Sequence, residues 1–324
     1  MMNVQIMRHI VDPLVAGAMP AVAQRAVAHW RGEALVYVRS SANHIFRFTR
    51  DGQPYYLRLA HEQERNRPYI QAELDFVRHC AAAGLVVACP VLSEAGVYVE
   101  EIDSPEGHYY AVAFEGLQGT QYETDDLNEA RYRAWGKALA HLHLASSTFP
   151  AHPVRATWQE EIRALLKTVP QAEKGLVHIL ESGVAWLDTL PIQDFGLIHG
   201  DFELDNLVWE GEQVQILDFD AAAYTWYAAD IAIALQDVYF SRDSAQEERL
   251  NWFFAGYTTV YPLAEAMRKN VGRFLNLLLA VKITRLLQAY TTTYADTVYP
   301  DWLETMQKRH QNWLMTRRTW LKWD

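Results

Sequence analysis

Cysteine is nearly absent: two occur in 324 residues, Cys80 and Cys89, each in an apolar setting (VRHCAAAG and VVACPVL). Neither sits in a CxxC pair or has a histidine at ligand spacing. A disulfide framework and a cysteine-bound zinc are therefore excluded, and buried thiols in a reducing compartment are the expectation. Long apolar runs are missing too. No window reaches the ~18 uninterrupted apolar residues of a membrane span. Asp12 and Pro13 interrupt the first twenty residues where an export signal needs a continuous apolar stretch. A cytoplasmic protein that does not enter a membrane is expected. Cations are scarce, with 29 Lys and Arg against 40 Asp and Glu, a net charge of −11. Nucleic acid, whose phosphates call for the opposite excess, is not expected as a partner. The acidic balance serves solubility and is compatible with a cationic small substrate. Internal repeats and low-complexity tracts are absent as well.

What is present is a chain that is half apolar and 21% charged, enough for a sizeable core in roughly two domains. Leu14, Ala18, Val22, Val27 and Trp30 recur at helical spacing and predict one or two helices over 14–30, broken near Pro20. From Ala34 the pattern changes to short β-rich runs, ALVYVRS, HIFRFTR and PYYLRLA, separated by turn residues, which predicts an antiparallel meander. A helix over 68–83 follows, with Gly84 as its stop. A strand pair, VVACPVLS with GVYVEEI, and then YYAVAFE complete the β-rich first third. Beyond the Gly-containing segment 116–119 the composition turns helical. Helices are predicted over 126–146, 157–168, 173–190, 228–239, 245–259, 262–293 with a break near Asn270-Val271-Gly272, and 301–321.

One stretch departs from that helical run: Leu197 to Asp218, LIHGDFELDNLVWEGEQVQILD. Two β-prone runs, Val208-Trp209 and Val214 to Leu217, flank the turn-prone Glu210-Gly211-Glu212, so a tight hairpin is predicted. It sets His199, Asp201 and Asn206 before its first strand and Asp218 after its second. An acid, an amide five residues on and a second acid at the end of a strand suit a site that holds Mg²⁺ and orients a hydroxyl, because Mg²⁺ takes oxygen ligands from one or two carboxylates and substrate phosphates.

His199-Gly200-Asp201-Phe202-Glu203-Leu204-Asp205-Asn206 resembles the H-G-D-x-x-x-x-N catalytic loop of the aminoglycoside phosphotransferase and choline kinase-like family, small-molecule relatives of protein kinases. Ile216-Leu217-Asp218-Phe219-Asp220 resembles the same family's metal-binding segment. The resemblance runs from about residue 34 to 240. It implies an α+β, protein-kinase-like two-lobed fold: a β-rich N-terminal lobe over 1–115, a hinge at 116–119, and a mainly helical C-terminal lobe over 120–324. It implies an ATP- and Mg²⁺-dependent transfer of the γ-phosphate to a hydroxyl of a small molecule, of the aminoglycoside, amino alcohol, sugar or hydroxy amino acid type. Carried over by position, Asp201 matches the catalytic base, Asn206 and Asp218 match the Mg²⁺ ligands, and His199 matches a loop brace. Ser40 to His44, with Ser41 and Asn43 as candidate phosphate contacts, matches the nucleotide-covering turn but contains no glycine. Arg58 stands where protein kinases carry a phosphate-binding lysine. Glu73 matches its ion-pair partner, with Glu62 and Glu64 as alternatives. Phe114 to Leu117, with Glu115 and Leu117 as contact residues, matches the adenine-binding hinge. Phosphoryl transfer needs positioning and charge neutralisation more than covalent help, which agrees with this residue set.

Other residues invite rival readings. His141 and His143, two apart on a helix, do not share a face, so one is expected inside and the other in solvent. Asp230 is expected either to cap the helix it opens or, from the resemblance, to brace the catalytic loop. Trp226, Tyr227, Trp252 and Tyr257 are candidates for the wall of an acceptor pocket. Only twelve positions separate Asp218 from Asp230, too few for the activation segment on which protein kinases dock polypeptides. A small-molecule acceptor is therefore expected over a protein. The competing readings are an inert kinase-fold binding module and an atypical Ser/Thr protein kinase.

Overall fold

The computed structural model describes residues 2–170, 172–241, 243–291 and 300–321. In chain order the first lobe comprises α1 (Val4–Val15), α2 (Ala21–Ala28), β1 (Glu33–Ser40), β2 (His44–Arg50), β3 (Gln53–His61), α3 (Arg67–Ala82), β4 (Pro90–Val91), β5 (Glu100–Ser104) and β6 (Gly107–Glu115). The strands form one antiparallel sheet in the order β1-β2-β3-β6-β4, with β5 also on β6. Alternation along the strands makes this sheet two-faced. Phe46, Phe48, Leu57, Leu59, Tyr109, Ala111 and Ala113 pack against α2 and Trp30 on one face. Ala60 and Val112 pack against Ile70 and Leu74 of α3 on the other. Gly84, at φ +93°, ends the α3 segment in the left-handed conformation open to glycine.

The second lobe comprises α4 (Glu129–Ser146), α5 (Trp158–Leu166), α6 (Lys174–Leu187), β7 (Phe195–Ile198), β8 (Leu207–Glu210), β9 (Gln213–Ile216), β10 (Ala223–Trp226), α7 (Tyr227–Ala234), α8 (Gln236–Ser241), α9 (Gln246–Tyr257), α10 (Glu265–Thr291) and α11 (Asp301–Arg318). Its core is one large apolar cluster built from α4, α6, α7, α9 and α10. At the crossing of α4 and α9, the positions a Cβ would take on Gly136 and Gly256 are filled by the Phe253 and Arg133 carbonyl oxygens. The two helices touch backbone to backbone there.

The two-lobed α+β architecture agrees with the expectation, with differences in detail. The first helix begins at Val4 rather than near Leu14, because Val4, Ile6, Met7, Ile10 and Val11 form a buried face of their own. The VVACPVLS–GVYVEEI pair does not exist. Val86 and Ala88 instead bond the backbone of Ile216 in the second lobe, and only Pro90–Val91 is left to reach β6. The sheet has six strands, with β4 and β5 each paired to β6 and not to each other. The hairpin β8–β9 forms as expected, with Gly211 at φ +63° in its tip. The pairing of β7 with β10 lies where only a loop and a helix were expected. α10 runs unbroken through Asn270-Val271-Gly272, since burial of Val271 and Phe274 outweighs the ~1 kcal/mol that glycine costs a helix. The part of that prediction over 292–293 lies outside the described residues.

α11 touches both lobes. Trp302 and Met306 pack against Met2, Ile6, Met7 and Val11, and Trp302 Nε1 donates to Asp12 Oδ1 at 3.0 Å. At its other end Trp320 stacks on Phe240 of α8, and Arg318 pairs with Glu173 at 2.7 Å.

Candidate active site

The catalytic-loop segment is held by buried polar groups. β7 delivers His199 and Gly200, whose N–H groups donate to the two carboxylate oxygens of Asp230 at 2.9 and 3.0 Å. His143 Nε2 reaches the same carboxylate at 3.3 Å. Asp230 thus braces the loop, and the N-cap of α7 is Trp226 instead. Gly200, at φ +80°, lies where a Cβ would collide with the Ala221 carbonyl oxygen. His199 Nδ1 accepts from the Asp201 N–H at 3.2 Å, so Nε2 carries the proton it donates to the Leu217 carbonyl at 2.8 Å. Leu217 N–H in turn donates to the Asn206 carbonyl at 2.9 Å. These bonds tie Asp201, Asn206 and the residue before Asp218 into one frame, with the His199–Leu217 bond spanning eighteen positions.

Within it, Asn206 Nδ2 donates to the Asp201 carbonyl at 2.9 Å and to Asp201 Oδ2 at 2.8 Å. Asn206 Oδ1 is buried without a hydrogen-bond partner. A buried, unsatisfied carbonyl oxygen calls for an explanation, and an oxygen-seeking cation supplies one. Asp218, at φ +57°, stands at the cleft floor with its carboxylate partly exposed. These two oxygen-bearing side chains fit a hard divalent cation. Among the described residues there is no cluster of three or more His, Cys, Asp or Glu suited to a metal.

Burial and the neighbouring Glu203 carboxylate push Asp201 up to about 7, against the pull of Lys282. Lys282 Nζ, from α10, lies 2.5 Å from Glu203 and 3.1 Å from Gln236 Oε1. Burial opposes ionisation of Glu203, yet Lys282 holds its carboxyl below the ordinary range. The acceptor side of Asp201 is thus carboxylate-rich and set by a lysine eighty positions downstream.

On the N-terminal side, Arg58 Nη1 and Nη2 donate to Glu73 Oε1 and Oε2 at 2.6 and 2.9 Å in a buried bidentate pair. Glu62 and Glu64 are engaged elsewhere, by the His108 and Asn3 N–H groups. Asp220 is clamped by Arg65 at 2.6 and 2.9 Å. Burial alone would raise its pKa, but Arg65 holds it far below the usual carboxylate range.

A cavity of about 360 Å³ opens between sheet and hairpin, within the size range of small-molecule sites. Arg58, Glu115, Leu117 and Asp218 line it, with Val38, Ile45, Ala88 and Val208 as apolar walls. The Glu115 and Gly116 N–H groups are taken by Cys89 and Pro54 carbonyls. The Leu117 N–H has no partner among the described residues. A larger groove of about 880 Å³, between the end of α3, α4 and α9, contains none of these residues.

Two expected contacts do not reach this cavity. Ser41 is exposed on the β1–β2 turn, and Asn43 is buried behind it. The side chain of the turn's third residue points into the lobe because β2 begins there. The proposed acceptor wall also fails. Trp226, Tyr227 and Tyr257 are core residues: Tyr227 stacks on buried His143 at 4.2 Å, and Tyr257 Oη lies 2.6 Å from His143 Nδ1. Trp252 packs beside Tyr132. As expected, His141 faces solvent and His143 the core. Sequence reasoning missed Arg39 and Tyr56 in the cavity, the Arg65–Asp220 clamp and the Glu203–Lys282 pair. No spacing rule links such distant partners.

A small antiparallel lobe, a hinge with a free amide and an acid–amide–acid set at the cleft floor define a protein-kinase-like phosphotransferase. The chain belongs to the phosphotransferase enzyme family, whose model matches residues 37–266. It is similar to an amicoumacin kinase of Bacillus subtilis (strain 168), 28% identical over 255 residues, 74% of this chain and 76% of that one. A homoserine kinase of Brucella suis is 28% identical over 214 residues, 64% of each chain. Among solved structures, an amicoumacin kinase in complex with AMP-PNP, Ca²⁺ and Ami superposes with a TM-score of 0.80 at 23% identity, over 98% of this chain and 95% of that one. A microcompartment-associated aminopropanol kinase superposes at 0.64 and 21% identity, over 84% and 90%. No helix among the described residues is long and apolar enough to cross a membrane.

Proposed function

We propose that the protein is an ATP- and Mg²⁺-dependent kinase that phosphorylates a hydroxyl of a small, amine-bearing molecule. The observation that carries this reading is the split role of Asn206: Nδ2 fixes Asp201, while the buried Oδ1 is left for a cation beside Asp218. In this reading the Leu117 N–H donates to adenine, and Arg58, held by Glu73, adds positive charge at the back of the cleft. Asp201 accepts the proton of the acceptor hydroxyl as its oxygen attacks the γ-phosphorus, and ADP leaves. Asn206 and Asp218 would hold Mg²⁺, which would supply charge neutralisation on the phosphates. The amine is favoured by the carboxylate of Glu203 beside that of Asp201. Aminopropanol and homoserine, in the names of two relatives, each join a hydroxyl to an amine.

The test is acceptor-dependent ADP release across amino alcohols, hydroxy amino acids, aminoglycosides and amicoumacin, with Mg-ATP. Turnover is expected with at least one amine-bearing acceptor, lost on chelation of Mg²⁺ and in Asp218→Ala. Turnover that survives Asp218→Ala would sink the metal assignment. Turnover confined to amine-free sugars would sink the acceptor class.

A further inference from the structure

The first turn of this nucleotide cleft has no glycine, and its Ser41 amide and Ser40 hydroxyl are committed internally. Ser41 N–H donates to the Asn43 carbonyl at 3.0 Å, and the Ser41 carbonyl accepts from Met2 N–H at 2.9 Å. Ser40 Oγ accepts from Tyr37 Oη at 3.0 Å and lies 2.7 Å from His44 Nδ1. Asn43 is buried. A glycine-rich cover works by letting backbone N–H groups approach phosphate closely. The Ser41 amide and the Ser40 and Asn43 side chains are not free to do so. The cation behind the turn is committed as well, because both Nη groups of Arg58 face Glu73 and its side chain is 5% exposed.

One strand residue breaks the pattern. In a regular strand, successive side chains face opposite sides, yet Val38 and Arg39 both line the cavity. The register of β1 on β2 shifts between Tyr37 and Arg39, and such a bulge re-aims a side chain. Arg39 is thereby turned across the cleft. Its Nη2 lies 3.4 Å from Asp218 Oδ2, its side chain is 44% exposed, and this long contact is its one ion pair among the described residues. Of the two cations lining the cavity, only Arg39 has donors free for a ligand.

We propose that Arg39 is the residue of the N-terminal lobe that binds the terminal phosphates of the nucleotide, in the role a glycine-rich turn has elsewhere. The inference rests on the ATP-dependent reading above and goes beyond it in assigning the phosphate contact to a bulged strand. A guanidinium suits this position because its planar fork matches phosphate oxygens. As the nucleotide enters, Arg39 exchanges a long carboxylate contact for a charge-assisted bond to phosphate.

The test is calorimetric titration of ATP, ADP and adenosine, with Mg²⁺ for the first two, into wild type, Arg39→Met and Arg39→Lys. Arg39→Met is expected to weaken ATP by roughly ten- to a hundredfold, the worth of a hydrogen bond to a charged group. ADP should weaken less and adenosine not at all, with Arg39→Lys falling between wild type and Arg39→Met. An ATP-to-adenosine affinity ratio unchanged in Arg39→Met overturns the assignment of Arg39 while leaving the kinase reading intact. Equal weakening of adenosine and ATP marks a general structural role and also overturns it. Failure of the wild type to bind any nucleotide overturns both readings.

Discussion

In the proposed reaction Asp201 is the residue on which the chemistry turns, and its surroundings separate position from proton transfer. Asn206 Nδ2 fixes its carboxylate at 2.8 Å, and Asn206 itself is anchored through Leu217. Asp201→Asn keeps the shape and removes the base. Its kcat should fall by roughly 10²–10⁴-fold, with KM for ATP little changed; steady-state kinetics on the best acceptor measures both. A large rise in KM with kcat preserved would show that Asp201 binds rather than reacts. Glu73 gives a stability prediction. Glu73→Ala leaves the Arg58 guanidinium buried beside an apolar gap, and losing one partner of a buried ion pair costs about 3–5 kcal/mol. Urea unfolding of the variant should show a drop of that order, and a drop below about 1 kcal/mol would mean that Asp220 takes over as the counter-ion of Arg58. The residues Asp201, Asn206 and Asp218 stood out in the sequence because a strand and a tight turn fix their spacing. Arg39 did not, since an arginine in a β-rich run carries no mark of a bulge.

At the scale of elements, the crossing of α4 and α9 has no room for side chains at its two glycines. Gly256→Ala favours the isolated helix by about 1 kcal/mol but drives a methyl into the Arg133 carbonyl. The net effect should be destabilising by about 1–3 kcal/mol, as for other overpacked cores. A raised thermal midpoint in this variant would show that α9 slides without penalty. Which elements the sequence revealed follows the same physics. β1, β2 and β3 were legible because Phe46, Phe48, Leu57 and Leu59 alternate with polar neighbours between turn residues. The pairing of β7 with β10 was not, because Phe195–Ile198 and Ala223–Trp226 are four-residue runs without alternation or a shared turn. Val86–Ala88 read as half of a local hairpin, but its backbone partner, Ile216, lies about 130 residues away. Short apolar runs say that they are buried, not against what.

For the whole molecule, three histidines set the dependence of stability on pH. Burial holds His44 down at about 3, and lowers His143 and His199 despite the Asp230 carboxylate near both. Each binds a proton less readily folded than unfolded, where the ordinary value is near 6.5. At these three sites the unfolded chain takes up more protons as pH falls, so they draw stability down from about pH 6.5, while Asp201, held up at about 7 when folded, works in the opposite direction. Asp220 works in the same direction as the histidines but at lower pH, since its depressed pKa confers stability above its unfolded value that is lost as pH falls toward the folded one. Urea midpoints at pH 7.5 and 5 should differ measurably, and His44→Gln should shrink the difference. An unchanged difference in His44→Gln would place the acid sensitivity elsewhere. The two-lobed outline itself was legible from the order of its parts, a β-rich first third followed by helices. The dependence of the lobes on each other was not.

α11 brings the ends of the chain together: the indole of Trp302 bonds a carboxylate 290 positions earlier in sequence. On the ribosome, a chain grows from its N-terminus at about 5–20 residues per second. Met2, Ile6, Met7 and Val11 emerge long before Trp302 and Met306, which complete their cluster. For much of synthesis that face of α1 lacks its cover and is open to chaperones or to other nascent chains. Nascent chains stalled short of residue 300 should consequently bind a hydrophobic-surface chaperone through α1, and release it once α11 has cleared the exit tunnel.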